Sequence, residues 1–419
     1  MEDAPLGDCA PDTADTTDCT KPSGRHRDRA MTLRAIAERL RKIIWLERTP
    51  CDVVIFDAVG SDELRHCMPS RARVNTLRTR EGLALVKSLR IIPILVASLL
   101  KYRKPGLALV VSIVRIWKPK VIITYIDNTP AMGVLKQIFP GTQMISVQNG
   151  TRWDLSLPNQ PHLDFDHYFS FGQAENDIFA VGGHSAVRVH PVGSLRAGIF
   201  VETIPAAQDN TFDICHISGF APLRGIDPDR SRAQIHSAYF ETDKRLFRTI
   251  VQFSRANNLK LCVAMRFPTD NAAFEEERRY FSLDDASQVC AIPRSPYSSY
   301  KAVRSSRLST TISSSLGYEA LGLGARVIFA KDVKAVSSLV TEGAWTTNLV
   351  THRLPESQRL HSLEYGEFSS KATALLNMTD EEYINHSKDA RAYYMNIDMQ
   401  RLPQQIIRQS IEEFLARPA

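Results

Sequence analysis

Short runs of consecutive apolar residues alternate along the chain with longer segments in which apolar residues recur every three or four positions. In the first half, the continuous runs lie at residues 52–57, 120–127, 143–148 and 167–171. Runs of this length are typical of strands that are buried on both faces of a sheet, and the segments between them predict helices. Strands separated by helices in this order predict a parallel sheet with helices on both faces.

The same pattern begins again after a polar segment at residues 202–210, which we interpret as a linker. Two successive α/β units predict two Rossmann-like, doubly wound domains that face each other across a cleft. A chain of 419 residues is long enough for both. The strands predicted in the second unit lie at residues 212–218, 260–267, 289–293, 308–312 and 327–330, and its helices at 238–256 and 297–304.

The pattern divides the chain into four parts. Residues 1–30 are rich in Asp, Thr, Pro and Gly, a composition that predicts a disordered tail. Residues 31–200 form the predicted first Rossmann-like domain. Residues 211–364 form the predicted second one. Residues 365–419 are expected to be helical and to cross back over the cleft.

Three local expectations accompany this division. An amphipathic helix is predicted from Met31 to Ile44, because its apolar residues recur with helical spacing. Two helical segments are predicted between Gly60 and Lys120. In the tail, Pro403 is expected to stop a helix, since proline lacks a backbone donor.

Composition and charge exclude several classes of protein. A net charge of +6 with 23% charged residues is only mildly basic and does not indicate a nucleic-acid partner. The seven cysteines are scattered and lack CxxC spacing, so neither a zinc site nor a disulfide framework is predicted. The amino-terminal segment is acidic and polar and lacks the apolar centre of a secretory signal. A cytoplasmic location is therefore expected.

The charge is concentrated between Arg71 and Lys120, where Glu81 is the one acidic residue. These basic residues alternate with apolar runs at 91–100 and 107–116, which are too short and too interrupted to span a bilayer. Two core helices with solvated basic ends explain this pattern. The alternative is a surface that rests on anionic lipid, which predicts peripheral contact with the inner face of the cytoplasmic membrane.

The segment at residues 313–324, Ser-Ser-Ser-Leu-Gly-Tyr-Glu-Ala-Leu-Gly-Leu-Gly, follows a predicted strand and opens a short helix. Free backbone N–H groups and the helix dipole would converge on Ser313, Ser314 and Ser315, which predicts a phosphate site. Glu319 lies about one turn further on and could accept hydrogen bonds from ribose hydroxyls. A simple helix cap, with Glu319 in a capping box, is the alternative.

Polar residues also gather at the strand ends of the first unit. Asp127 could act as a general base toward an incoming hydroxyl, or it could cap the following helix. Gly150 permits a tight turn that could aim amide and guanidinium groups into the cleft, although Asn-Gly is also common in ordinary turns. The candidates of this unit are Asp57, Asp127, Asn128, Gln148, Asn149, Gly150 and Arg152.

Arg266 ends a predicted strand of the second unit and would face the same sheet edge as the serines. Its guanidinium can pair with phosphate or carboxylate, and an exposed salt bridge is the alternative. The chain contains no GxGxxG, GxxxxGK[ST], GxSxG or HExxH motif. Their absence argues against a dehydrogenase, a P-loop enzyme, a serine hydrolase and a zinc protease.

Four segments, at residues 122–128, 147–152, 192–196 and 313–324, together resemble bacterial surface carbohydrate biosynthesis proteins, which are similar to glycosyltransferases of the GT-B fold. The resemblance covers roughly residues 50–415. It implies that the second domain holds a nucleotide-sugar donor and the first holds a glycan or lipid-linked acceptor. The resemblance places the donor phosphate on Ser313, Ser314 and Ser315 and Glu319 near the ribose. Gly317 and Arg266 complete the set of expected donor residues.

The resemblance also implies an activity. It is the transfer of a sugar from a nucleotide sugar to a surface polysaccharide or glycolipid, with no bound cofactor and no metal. Catalysis is assigned to Asp127, Asn128 and Gln148, and acceptor binding to Asn149, Gly150, Arg152 and Asp57. Three alternatives remain: transfer of a polyol phosphate from a CDP donor, non-catalytic binding of a glycan or nucleotide, and epimerisation of a UDP-sugar, which uses the same fold.

Overall fold

Six parallel strands form the sheet of the first unit, in the order β3-β2-β5-β6-β7-β8. The structure, a computed structural model, describes residues 43–46, 49–80, 83–152, 160–205, 211–220, 230–283, 288–333 and 351–417. A separate parallel pair joins β1 to β4. The strands are β1 (Ile43–Leu46), β2 (Val53–Phe56), β3 (Val74–Leu77), β4 (Leu83–Val86), β5 (Val121–Thr124), β6 (Gln143–Val147), β7 (Asp164–Ser170) and β8 (Ser185–Pro191).

Five parallel strands form the sheet of the second unit, in the order β11-β10-β9-β12-β13. Strands β2 and β5 of the first sheet and the strand Leu261–Ala264 of the second are fully buried, as expected where helices cover both faces of a parallel sheet. The strands are β9 (Phe212–Ile217), β10 (Leu261–Ala264), β11 (Val289–Ile292), β12 (Ser306–Thr311) and β13 (Val327–Phe329).

The helices connect parallel strands within each unit and then form the tail. They are α1 (Ser61–Arg65), α2 (Ile91–Tyr102), α3 (Pro105–Trp117), α4 (Ala131–Ile138), α5 (Gln173–Val181), α6 (Leu195–Thr203), α7 (Arg230–Ala256), α8 (Ala272–Tyr280), α9 (Ser298–Arg304), α10 (Ser315–Gly322), α11 (Tyr365–Asn377), α12 (Asp380–Tyr394) and α13 (Pro403–Ala416).

In each sheet, successive strands are added first on one side of the starting strand and then on its other side. In the first sheet this change of side lies between β2 and β5, and in the second it lies between β9 and β12. Ligands of open parallel sheets bind beyond the carboxyl ends of the strands at such switch points. The fold therefore marks one place in each unit where a ligand can bind.

The tail joins the second unit to the first. Helix α12 contacts α10 of the second unit and α5 of the first, and α13 packs against α6 and β5. The apolar face of α13, formed by Ile407, Ile411 and Phe414, lies in the same core cluster as residues of β2 and β5. The expected helical tail is present and crosses between the units.

Several local expectations were wrong or fall elsewhere. Ile43 and Ile44 belong to strand β1, where pairing with β4 overrides the helical spacing of their side chains. Strands β3, β4 and β8 were missed. Strand β8 is an exposed edge strand with few apolar residues, so it leaves no continuous apolar run in the sequence. Pro403 begins α13, because proline is well tolerated in the first turn of a helix. The predicted tail at residues 1–30 lies outside the described residues.

None of the helices in the described ranges combines the length and the apolar character that crossing a bilayer requires.

Gly172 provides a test of the tail contact. A Cβ at this position would lie 2.4 Å from the carbonyl oxygen of Tyr393 in α12. Because that atom belongs to the main chain, the tail itself would have to shift. We expect Gly172→Ala to lower the free energy of unfolding by about 1–3 kcal/mol, measured by urea denaturation.

Gly141→Ala is the matched control, since a Cβ at Gly141 meets nothing within 4 Å. This control should be neutral or slightly stabilising, because alanine restricts the unfolded chain. Equal midpoints for the two variants would contradict a tight contact between Gly172 and the tail.

A histidine pair beneath α13 predicts a pH dependence of stability. His167 Nδ1 lies 3.0 Å from His190 Nε2, and the His167 ring packs on Phe414 with 4.4 Å between centroids. Burial lowers the pKa of His167 from 6.5 to about 4 and also lowers the pKa of His190. Between pH 6.5 and pH 4 the unfolded chain therefore binds more protons, so the free energy of unfolding falls as the pH falls.

We expect His167→Gln to give a flatter dependence of the unfolding free energy on pH over this window. His386→Gln, which changes an exposed histidine, should keep the slope of the unmodified protein. Parallel slopes for all three proteins would show that protonation of His167 is not linked to unfolding.

Candidate active site

A cleft of about 1150 Å³ lies between the carboxyl edges of the two sheets. It includes both switch points, and each unit forms one wall. The polar residues that line the wall of the first unit are Asp62, Glu63, His66, Asn149, Thr151 and Arg196. Those of the second unit are Ser218, Arg266, Asn271, Arg294, Ser295, Tyr297, Ser299, Tyr300, Ser313, Ser314, Ser315 and Glu319.

The three serines at the start of α10 all line this cleft, and each has a different partner. Ser314 is the N-cap, and its Oγ accepts a hydrogen bond from the backbone N–H of Leu316 at 3.3 Å. The capping interpretation is therefore correct for Ser314. The third residue of the helix is Gly317, so Glu319 does not form the capping box considered from the sequence.

Ser313 connects the helix start to a buried lysine. Its Oγ lies 2.8 Å from the hydroxyl of Tyr239 in α7, and Lys331 Nζ donates to that hydroxyl at 2.5 Å. Lys331 is 1% exposed and lies over the Tyr239 ring, 4.8 Å from its centroid. A positive charge therefore lies directly behind the serine cluster.

Ser315 and Glu319 join α10 to the first unit. Ser315 Oγ accepts a hydrogen bond from the backbone N–H of Thr151 at 3.0 Å. One carboxylate oxygen of Glu319 accepts from the Ser194 hydroxyl and the other accepts from Tyr300 at 2.7 Å. Burial raises the pKa of Glu319. Glu319 lines the cleft, but both of its oxygens already have partners within the protein.

Arg266 lies at the carboxyl end of β10 and lines the same cleft as the serines. Its side chain is exposed, and Nη1 donates to the Phe220 carbonyl at 3.3 Å. The buried carboxylate of Glu277 accepts from the backbone N–H groups of Arg266 at 2.9 Å and Phe267 at 3.2 Å. Burial raises the pKa of Glu277. Glu277 thus fixes the strand end from which Arg266 extends.

Asp127 occupies a different place from the one its predicted role requires. It is fully buried and absent from the cleft lining. Its Oδ1 accepts from Arg152 Nε at 2.8 Å and Nη2 at 2.7 Å, and its Oδ2 accepts from the backbone N–H of Asn149 at 3.3 Å. Burial raises the pKa of Asp127, and Arg152 partly offsets this effect. A general base must reach the acceptor hydroxyl, so this geometry favours a positioning role.

Gln148 and Asn128 also lie outside the cleft lining. Gln148 is buried, and its amide bonds the Gly150 carbonyl at 2.8 Å and the Phe171 N–H at 2.7 Å. Both ends of its side chain therefore support the main chain. Asn128 is exposed just beyond β5. Among the three residues assigned to catalysis from the sequence, none touches the cleft.

Only one of the four residues predicted to bind the acceptor lines the cleft. Asn149 lines the cleft, whereas Asp57, Gly150 and Arg152 do not. Asp57 has a φ of 82° and binds the Val59 N–H at 3.0 Å and the Arg80 guanidinium at 3.2 Å, so it shapes its own loop. Arg152 pairs with Asp127.

The two glycines among the candidates differ in how closely they pack. Gly150 is not among the described glycines that have a positive φ, and a Cβ on it would meet Ser315 Oγ at an ordinary contact distance of 3.4 Å. A Cβ on Gly317 would meet Thr311 Cγ2 at 2.6 Å, so this glycine lets α10 approach the sheet.

Several cleft residues were missed by the sequence interpretation. Asp62 and Glu63 lie in α1, and His66 directly follows it. Helix α1 begins just beyond β2, one of the two strands at the switch point. Arg196 Nε donates to Glu63 at 3.2 Å and also lines the cleft. The position of Asp62 and Glu63 after Gly60 was visible in the sequence, but nothing local indicated that they face the serines.

Glu175 is a second buried carboxylate near the junction of the units. It lies in α5, accepts from the backbone N–H of Arg152 at 3.3 Å, and borders a small cavity beside Thr151 and Ser313. Burial raises the pKa of Glu175 to about 8. The carboxyl is therefore mainly protonated at neutral pH.

A family model described as "putative O-antigen biosynthesis protein" matches residues 145–345, just under half of the chain. The matched segment contains Arg266, the start of α10 and the loop around Gly150. The predicted resemblance to surface carbohydrate biosynthesis proteins is confirmed. The match supports a role in the synthesis of a surface polymer. No curated protein matches the chain.

The chain is similar to several solved structures at low identity. The structure of a protein described as a putative UDP-N-acetylglucosamine 2-epimerase from Listeria monocytogenes has 11% identity and a TM-score of 0.49, over 87% of this chain and 95% of that one. UDP-GlcNAc 2-epimerase from Neisseria meningitidis has 13% identity and a TM-score of 0.48, over 88% and 99%. The wall teichoic acid polymerase TagF has 12% identity and a TM-score of 0.47, over 87% and 88%. The GT-B-like fold itself is seen in the two parallel sheets and the crossing tail.

The pair of Asp127 and Arg152 gives a stability prediction. Asp127→Asn removes the carboxylate to which a mostly buried guanidinium is paired, so we expect the free energy of unfolding to fall by about 3 kcal/mol or more. Combining it with Arg152→Gln should cost less than the sum of the two single changes. Urea denaturation of the four proteins measures this coupling.

Asp389→Asn is the matched control, because Asp389 is exposed on α12. It should change the free energy of unfolding by less than about 0.5 kcal/mol. Additive effects of the Asp127 and Arg152 changes would mean that the pair does not act as a unit.

Proposed function

We propose that this protein is a glycosyltransferase that moves a sugar from a nucleotide-sugar donor to a surface polysaccharide or glycolipid acceptor. The observation that carries the proposal is the meeting of the α10 start and Arg266 in one cleft, opposite a wall with exposed acid and imidazole groups. A transferase needs these two features, since it must hold an anionic leaving group and receive a proton from a nucleophile.

The second unit supplies the donor wall. The hydroxyls of Ser313 and Ser314 and the amino end of α10 offer hydrogen-bond donors and a partial positive charge to a phosphate. Arg266 and Arg294 extend exposed guanidinium groups into the same cleft. Lys331 adds its charge from behind Ser313. These groups would stabilise the negative charge that grows on the leaving nucleotide as the glycosidic bond breaks.

The first unit supplies the acceptor wall. Asp62 and His66 are exposed at the cleft and are the groups that could take the proton of an acceptor hydroxyl. Asn149 also lines the cleft and could orient that hydroxyl. In this scheme Asp127, through Arg152 and the Asn149 N–H, is a positioning residue for the loop that carries Asn149.

The chemistry proposed here uses no metal. Among the described residues, no group of three or more His, Cys, Asp or Glu side chains could hold a metal ion. The positive charge for the leaving group would come from the arginines and the helix start.

Transfer of a polyol phosphate from a CDP donor is the second candidate. It would use the same anion-binding wall, and TagF, one of the similar structures, is a wall teichoic acid polymerase. The two reactions differ in their products, because only polyol-phosphate transfer adds phosphorus to the acceptor. Phosphorus analysis of the product, with nucleotide release as the second readout, distinguishes them.

The donor wall can be tested by calorimetry with UDP-, GDP-, CMP- and TDP-sugars. We expect one nucleotide class to bind, and Arg266→Gln to weaken that binding on the order of 10- to 100-fold, the value of a charge-assisted hydrogen bond. Ser314→Gly should also weaken it while keeping the helix, because glycine is nearly as good an N-cap as serine.

Arg245→Gln serves as the matched control, since Arg245 is exposed on α7 outside the cleft lining. It should leave the affinity unchanged. If no nucleotide sugar binds, or if the Arg266 and Ser314 variants bind as well as the control, the proposed donor site is wrong. Binding without turnover on any acceptor would favour a non-catalytic protein instead.

A further inference from the structure

Helix α2 presents an unusually apolar face to the solvent. Five of the twelve large apolar side chains that are exposed among the described residues lie on it or just before it. Leu89 is 85% exposed and Leu100 is 77% exposed. Ile92, Val96 and Leu99 follow at helical spacing, so they form one stripe with Leu100.

The opposite face of α2 is already occupied. Ile91 and Ser98 are buried, and Ser98 Oγ lies 3.2 Å from Ser112 Oγ of α3. The helix is therefore held on α3 through its small and buried residues. Its apolar stripe is the part of the helix that faces outward.

Basic side chains surround the stripe. Lys87 and Arg90 precede the helix, while Lys101, Arg103 and Lys104 end it, and all five are exposed. No acidic residue occurs between Glu81 and Asp127. The surface thus combines an apolar stripe with a basic border.

The apolar stripe and its basic border together indicate what kind of surface binds this face. We propose that the α2 face docks on an anionic membrane surface, with the apolar stripe in the interface and the basic residues at the lipid phosphates. Amphipathic helices bind membranes through both contributions. A second copy of the chain fits poorly, because face-to-face packing would bring the basic side chains of the two copies together.

The docked orientation would bring the proposed active site toward the membrane. The amino end of α3 lies at the carboxyl edge of the first sheet, since Gly106 and Leu107 share a cavity with Arg78 and Thr79, which follow β3. The turn of Arg103 and Lys104 joins α2 to this end of α3. The basic turn and the cleft therefore lie at the same edge of the sheet.

Vesicle sedimentation tests the proposal with the unmodified chain. We expect binding to vesicles of phosphatidylcholine with phosphatidylglycerol at low salt, and little binding at high salt or to phosphatidylcholine alone. Changing Lys101→Gln, Arg103→Asn and Lys104→Gln together should weaken binding on the order of 100-fold. Asparagine is used at Arg103 because its φ is 55°. Leu99→Glu with Leu100→Glu should also abolish binding.

Two matched controls test whether the loss of vesicle binding is specific to the α2 face. One removes exposed positive charges elsewhere, and the other changes exposed apolar side chains elsewhere. Arg245→Gln, Arg248→Gln and Arg255→Gln remove three exposed charges from α7. Val187→Glu with Val189→Glu changes side chains that are 71% and 37% exposed, close to the 77% and 37% of Leu100 and Leu99. Both control proteins should bind vesicles as the unmodified protein does, and melting temperatures check that all variants fold.

The proposal is overturned if the protein binds neither vesicle, or if the α2 variants and the controls behave alike. It is also overturned if sedimentation velocity without lipid shows a dimer that the Leu99 and Leu100 changes dissociate, since the face would then bind a second copy. The experiment requires neither donor nor acceptor, so its outcome is independent of the proposed transferase activity.

Discussion

The contact between the start of α10 and the first unit is the interaction on which the rest of the structure depends. Ser315 accepts from the Thr151 backbone, and Glu319, one turn further on, accepts from Ser194. Polar groups removed from water must find partners, so these hydrogen bonds fix the two units at one distance and one angle. The dimensions of the cleft follow from this junction.

Burial separates the carboxylates of the molecule into two groups. Asp127, Glu277 and Glu319 are buried, and they accept hydrogen bonds from backbone N–H groups, hydroxyls or a guanidinium. They hold strand ends and the unit junction in place. Asp62 is exposed at the cleft, where a carboxylate can meet an acceptor. An acid at the end of a strand can therefore serve the loop or the ligand, and its exposure decides between these roles.

Much of the fold could be predicted from the sequence, because buried parallel strands leave continuous apolar runs. Strands β2, β5, β6, β7 and β9 to β13 were found in this way. The edge strand β8 and the pair of β1 and β4 were not, since their formation depends on a neighbour that is distant in the chain. The helix start at Ser314 was predicted for a similar reason, because a strand followed by serines and a glycine-rich helix is a local pattern.

The sequence by itself determined the two α/β units, the helix start that faces the cleft, and the basic, acid-free segment that contains α2. Only the tertiary structure decided which polar strand ends reach that cleft. Asp57 and Asp127 follow strands of the first sheet, and Asp62 lies in the helix that follows one of these strands. Their local sequences do not show which of the three carboxylates reaches the cleft. Their exposure depends on Arg152, Arg80 and the packing of α10, which come from other parts of the chain. A side chain's partners are set by contacts between distant segments, and local patterns do not contain that information.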